Sequence, residues 1–137
     1  MKTFVGNPSW LLAILIAAVG CSGNEDVGKG VVRFTDGEVV ESGSVEFRSL
    51  ASGDRFASRI DSSGRFKLVD QEGRVGIPDG DYEVVVVQIV LTEDLAADMH
   101  SHGRSVPRRY ADYYSSDLRV TIKAESPLPI ELVLSTE

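Results

Sequence analysis

Cysteine, tryptophan and histidine are nearly missing from this chain, whose 137 residues hold one Cys, one Trp and two His. One cysteine closes no disulfide within the chain, so packing alone must hold the fold, which a domain of this size can do. No Lys- or Arg-rich block occurs, and the formal net charge is -7. The basic footprint of a nucleic-acid binder is therefore absent. The nearest approach, Arg104, Arg108 and Arg109, is flanked by Asp98 and Asp112. Catalytic signatures are as sparse. There is no Gly-x-Ser-x-Gly elbow, and the carboxylates scatter through turns and outward strand positions without pairing for acid–base work. Asp36-Gly37 and Asp61-Ser-Ser-Gly64 lack the spaced run of oxygens that calcium needs. We expect no catalytic residue and no cofactor. Helix-period stretches are lacking too, since "EDLAADMHSH" makes one or two turns at most. The length suits one domain.

What is present divides the chain unevenly. Lys2 and the amino terminus give a weakly positive start, and Trp10 to Val19 is an apolar run that ends at Gly20-Cys21. A spanning helix needs about 20 apolar residues, and this run is about half that. Charged start, short apolar stretch and small-residue site together read as a secretory signal peptide over residues 1–20. No Asp or Glu precedes Cys21, so all 21 acidic residues fall in the exported part.

"AVGC" at Ala18–Cys21 resembles the lipobox of bacterial lipoproteins, with Ala18 where that motif usually has Leu. The resemblance implies that the Cys21 thiol carries diacylglycerol and becomes the first mature residue. Each buried methylene contributes about 0.8 kcal/mol, so two or three acyl chains would hold the protein at a membrane almost permanently. Ser22-Gly-Asn-Glu-Asp26 opens a polar leash over residues 21–29. In that family, Ser after the cysteine points to the outer membrane. The expected location is the bacterial envelope, with the lipid anchor as the membrane contact.

From about Gly30 the pattern has period two, with turn residues between segments. Val32 and Phe34 alternate with Arg33 and Thr35, and Val45 and Phe47 with Glu46 and Arg48. Phe56 and Ile60 lie opposite Arg55 and Arg59, and Phe66 and Leu68 opposite Arg65 and Lys67. "YEVVVVQIVL" at Tyr82–Leu91 is apolar on both faces and β-branched, which predicts a central strand. Its second face needs a cover, for which residues 92–117 are the candidate. Leu118, Val120 and Ile122, then Ile130, Leu132 and Leu134, complete about seven strands, with Pro127 and Pro129 between the last two. An all-β fold, an antiparallel Greek-key β-sandwich over residues 30–137, is expected.

Three stretches in order carry a family resemblance: "GVVRFTDGEVVESGSVEF", "IDSSGRFKL" and "IPDGDYEVVV". They are similar to the strand, hairpin and central-strand entry of transthyretin-like (prealbumin-like) domains, the class that includes carboxypeptidase regulatory-like domains. "VPRRYADYYSSDLRVTI" resembles a segment of short bacterial lipoproteins of this type. The resemblance implies a folding, spacing or interaction module that does no chemistry itself, with an envelope protein or a glycan as partner. Its Pro78-x-Gly80-x-Tyr82 turn would let Tyr82 bury its ring while its hydroxyl caps a neighbouring loop.

Two clusters are site-like. In extended chain Asp98, His100 and His102 point one way and make a weak candidate for Zn²⁺ or Cu²⁺, with no further strong ligand evident. Arg108, Arg109, Tyr110, Tyr113 and Tyr114 make a candidate partner surface, because Tyr and Arg are enriched at interfaces. Used as a platform, they would serve an alternative function, binding sugars or peptidoglycan fragments through residues 92–117. The competing use of these rings is to cover the central strand.

Overall fold

The structure, a computed structural model, describes residues 26–89 and 103–137. The expected signal peptide at residues 1–20, Cys21, the expected strand end at Val90 and Leu91, and the Asp98, His100 and His102 cluster lie outside the described residues. Within them the chain is all-β, with strands β1 (Lys29–Phe34), β2 (Ser44–Ser49), β3 (Arg55–Arg59), β4 (Arg65–Lys67), β5 (Gly80–Val87), β6 (Arg119–Ile122) and β7 (Ile130–Leu134). Among the described residues a 3₁₀ turn occupies Arg108–Ala111.

Alternation sets which side chains enter the core. In β1, Val32 and Phe34 are fully buried while Arg33 turns outward, and in β7 Ile130, Leu132 and Leu134 are buried around outward Glu131. The turns have local causes. After Ile60, the Asp61 carboxylate accepts from Ser63 N at 2.8 Å and Arg65 N at 3.0 Å. Gly64 adopts φ 78°, and a Cβ there would sit 2.8 Å from the Val32 carbonyl, so no other residue fits this reversal without strain.

The strands form two sheets, a three-stranded one in the order β4-β1-β7 and a four-stranded one in the order β3-β2-β5-β6. They share one core, in which Phe47 of β2 meets Phe66 of β4 with ring centroids 6.0 Å apart. Each such side chain contributes about 1.5–3 kcal/mol when fully buried. Gly30 is what lets Phe66 sit so close to β1. The two are paired in register, and a Cβ on Gly30 would lie 2.1 Å from the Phe66 ring and 2.6 Å from the Ile130 carbonyl.

One pairing departs from the expected antiparallel arrangement: β1 and β7 run parallel, from Gly30 opposite Ile130 to Phe34 opposite Leu134. Hairpins force neighbouring strands to be antiparallel, but the first and last strands are joined by the whole domain and carry no such constraint. The central strand also differs from its expected span, running from Gly80 to Val87. It lies between β2 and β6 as expected of a two-sided apolar segment, with Tyr82, Val84 and Val86 in the core and Val85 buried on the other face. Past Val87 the Gln88 side chain takes over. Its amide donates to Ser42 Oγ at 3.1 Å, and its Oε1 accepts from Val106 N at 3.0 Å.

Candidate functional site

Residues 103–118 return along the β5 side of the four-stranded sheet. Arg104 ties their start to the turn after β1, pairing with Asp36 at 2.7 Å and Glu38 at 2.8 Å and stacking 4.8 Å over the Phe34 ring. The Arg104 hydrogen bond, foremost among several, holds the Asp36 carboxyl below the usual carboxylate range. At the far end Ser116 Oγ donates to the Val84 carbonyl at 2.6 Å, and the Leu118 carbonyl accepts from Val84 N at 3.1 Å. The segment thus extends the pairing of β5 before β6 begins.

This path distributes the tyrosines among three environments. Tyr110 is 2% exposed, a core residue, which corrects its expected place on a partner surface. The reason is geometric: the 3₁₀ turn packs against β5, and the ring enters the space between the sheets. Its hydroxyl accepts from Ser135 N at 2.8 Å. Arg109 belongs to the same fastening. Its Nη2 donates to the Tyr110 hydroxyl at 2.8 Å and to the Ser135 carbonyl at 2.9 Å, and its Nη1 donates to the Glu137 carbonyl. These contacts clamp the end of β7 to the 3₁₀ turn.

Tyr113 takes the opposite side. It lies on the outer face of the four-stranded sheet, where Arg48 of β2 stacks 3.8 Å from its ring centroid and its hydroxyl donates to Glu46 at 2.8 Å. Burial first, then the hydrogen bond to Glu46, raises the Tyr113 phenol far above its ordinary value. Tyr114 is fully exposed at 101%, and Arg108 is exposed beside the turn. Of the candidate surface only Arg108 and Tyr114 face solvent freely, and no stacked aromatic platform forms. Among the described residues no group of three or more His, Cys, Asp or Glu is placed to hold a metal.

A second region was not legible as a cluster in the sequence. An open groove of about 840 Å³ runs along β1 and β4 and reaches across the β3–β4 hairpin to the end of β3; it is lined by Lys29, Arg59, Arg65 and Lys67, with Asp26 and Asp61 as its carboxylates. Register explains the gathering: Lys29 stands directly opposite Lys67, and Val31 opposite Arg65. Like charges in direct cross-strand opposition cost stability. Lys29 is relieved by Asp26 at 2.8 Å. Arg59, Arg65 and Lys67 make no salt bridge among the described residues. Asp61 is held in the turn, and hydrogen bonds from the Ser63 hydroxyl and the Arg65 amide keep it ionised below the usual carboxylate range. The groove has an apolar wall in Val31, Leu128 and Pro129, with Leu128 39% exposed.

No helix among the described residues is long and apolar enough to cross a membrane. Compared with protein-family models, curated proteins and solved structures, the chain matches none.

Proposed function

We propose that this chain is a bacterial cell-envelope lipoprotein, anchored through acylated Cys21, whose transthyretin-like β-sandwich acts as a non-catalytic structural or interaction module. One observation carries the reading. The only cysteine stands where a short apolar run ends, and a folded all-β unit begins a few residues later, with β1 starting at Lys29. Acyl chains on that sulfur would hold the domain close to the bilayer, because the stretch from Ser22 to Lys29 reaches only about 26 Å fully extended.

The sandwich topology is part of the proposal. Two sheets of three and four strands around one core, with the Tyr82 hydroxyl donating to the Pro78 carbonyl at 2.7 Å, support it. The glycan-platform alternative finds no support in the tyrosines, because Tyr110 is buried and Tyr113 is hydrogen-bonded to Glu46.

The test is metabolic labelling with a clickable fatty acid. The wild-type chain should take up label and fractionate with membranes, and Cys21→Ala should do neither. An unlabelled, freely soluble wild-type product would end the reading. Crosslinking in intact envelopes, followed by pull-down, would then identify the component on which the domain docks.

A further inference from the structure

We infer that the basic groove along β1 and β4 docks on anionic phospholipid headgroups of the bilayer that anchors the chain. The inference rests on the lipoprotein reading above and adds to it an orientation and a lipid class.

The first support is electrostatic. In a chain of net charge -7, the β1–β4 pair sets Lys29 against Lys67 with Arg65 alongside, and the Arg65 and Lys67 side chains make no salt bridge among the described residues. Opposed cations oppose sheet formation. A multivalent anionic surface offers Arg65 and Lys67 the counter-charge that no salt bridge supplies, whereas the acidic remainder of the molecule is repelled by it.

The second support is the groove's mixed character. Leu128, Pro129 and Val31 lie beside the cations, and basic residues flanking exposed apolar ones suit the boundary between headgroups and acyl chains. Chain path is the third. Asp26 lines the groove itself, and Cys21 can be no more than about 17 Å of extended chain away. The tether thus keeps the groove within a reach comparable with that of surface electrostatics, about 10 Å in 0.1 M salt.

All the strands and core residues among the described residues lie after residue 26, so a chain beginning at residue 21 contains every one of them. That unlipidated chain is floated with vesicles of phosphatidylcholine alone or with one third phosphatidylglycerol, at low and at half-molar salt. Binding should be at least tenfold stronger on the anionic vesicles and should vanish at high salt. Each cation near an anionic surface contributes about fivefold, so Arg65→Gln with Lys67→Gln should weaken binding roughly 25-fold. Arg55→Gln, at the opposite end of β3 from Arg59 and outside the groove, should leave it unchanged, and circular dichroism should show all variants folded.

Equal binding to both vesicle types, no binding, or equal loss in the Arg55 variant would overturn the inference. So would abolition of vesicle binding by millimolar inorganic phosphate, which would mark the groove as a site for free anions. Failure of the parent reading is separately visible: fatty-acid labelling at Cys21 does not depend on Arg65 or Lys67, and vesicle flotation does not depend on the acyl group.

Discussion

Tyr82 offers the sharpest test of how the core is held. Its ring is 2% exposed and meets Phe47 edge-on at 6.1 Å and Phe56 at 5.9 Å, while its hydroxyl donates to the Pro78 carbonyl at 2.7 Å. It therefore joins β2, β3 and β5 in one aromatic cluster and fixes the turn that leads into the central strand. Truncating a buried aromatic ring to Ala costs about 3–5 kcal/mol. The hydroxyl adds about 1 kcal/mol, at the modest end because Pro78 is exposed and its carbonyl can turn to water. Tyr82→Ala should lose about 4–5 kcal/mol, a third or more of the total stability of a typical domain. Tyr82→Phe should lose about 1 kcal/mol. Urea unfolding followed by far-ultraviolet circular dichroism measures both, with the midpoint moving and the m-value unchanged. A loss below about 2 kcal/mol for Tyr82→Ala would mean that the site collapses around the missing ring and that the cluster is not central. Equal losses for the Phe and Ala variants would place the stabilisation in the hydroxyl, contrary to the packing argument. Alkaline pH gives a second handle. Burial, and then the charges of Asp79 and Asp54, raise the Tyr82 phenol above its ordinary value. Its contribution is complete below the unfolded phenol value near pH 10 and is lost as pH rises above it, so Tyr82→Phe should flatten that alkaline fall.

Gly30→Ala should destabilise by about 1–3 kcal/mol or more through overpacking, because the Phe66 ring and the Ile130 backbone already fill the space; an unchanged thermal midpoint would refute the close approach. Tyr113→Phe keeps the ring beneath Arg48 but removes the hydrogen bond to Glu46 at 2.8 Å, so a loss of about 1 kcal/mol in urea unfolding is expected. Hydrogen bonds from the Arg104 side chain, the Ser63 hydroxyl and the Arg74 amide hold the Asp36, Asp61 and Asp70 carboxyls, respectively, below the usual carboxylate range in the folded state. Stability from these groups is complete above the unfolded carboxylate range and is lost as pH falls through their folded values. Unfolding midpoints should therefore drop below about pH 4, and Asp61→Asn should make that drop shallower.

Most of the secondary structure was legible because its causes are local. The alternation of Val32 and Phe34 with Arg33, the Asp61-Ser-Ser-Gly64 reversal and the Pro78-to-Tyr82 entry each depend on neighbours a few residues away, and the strands occur where those patterns predict them. The burial of Tyr82 and its hydroxyl contact were legible for the same reason. The candidate surface at Arg108–Tyr114 was only half legible. Residue type marked it as interface-like, but whether a ring turns inward depends on the sheet it meets. Tyr110 found the core, Tyr113 the outer sheet face and Tyr114 the solvent.

By itself, then, the sequence determined the all-β character, the order of the strands, the turn chemistry and most of the inward-facing set, since backbone geometry points alternate side chains to opposite faces wherever a strand lies. Tertiary structure alone decided that the first and last strands pair in parallel, that Arg109 clamps the end of β7, and that Lys29, Arg59, Arg65 and Lys67 share one groove. Partner choice and register are set by how two whole faces fit together, and residues far apart in the chain carry no local sign of which neighbour they will meet.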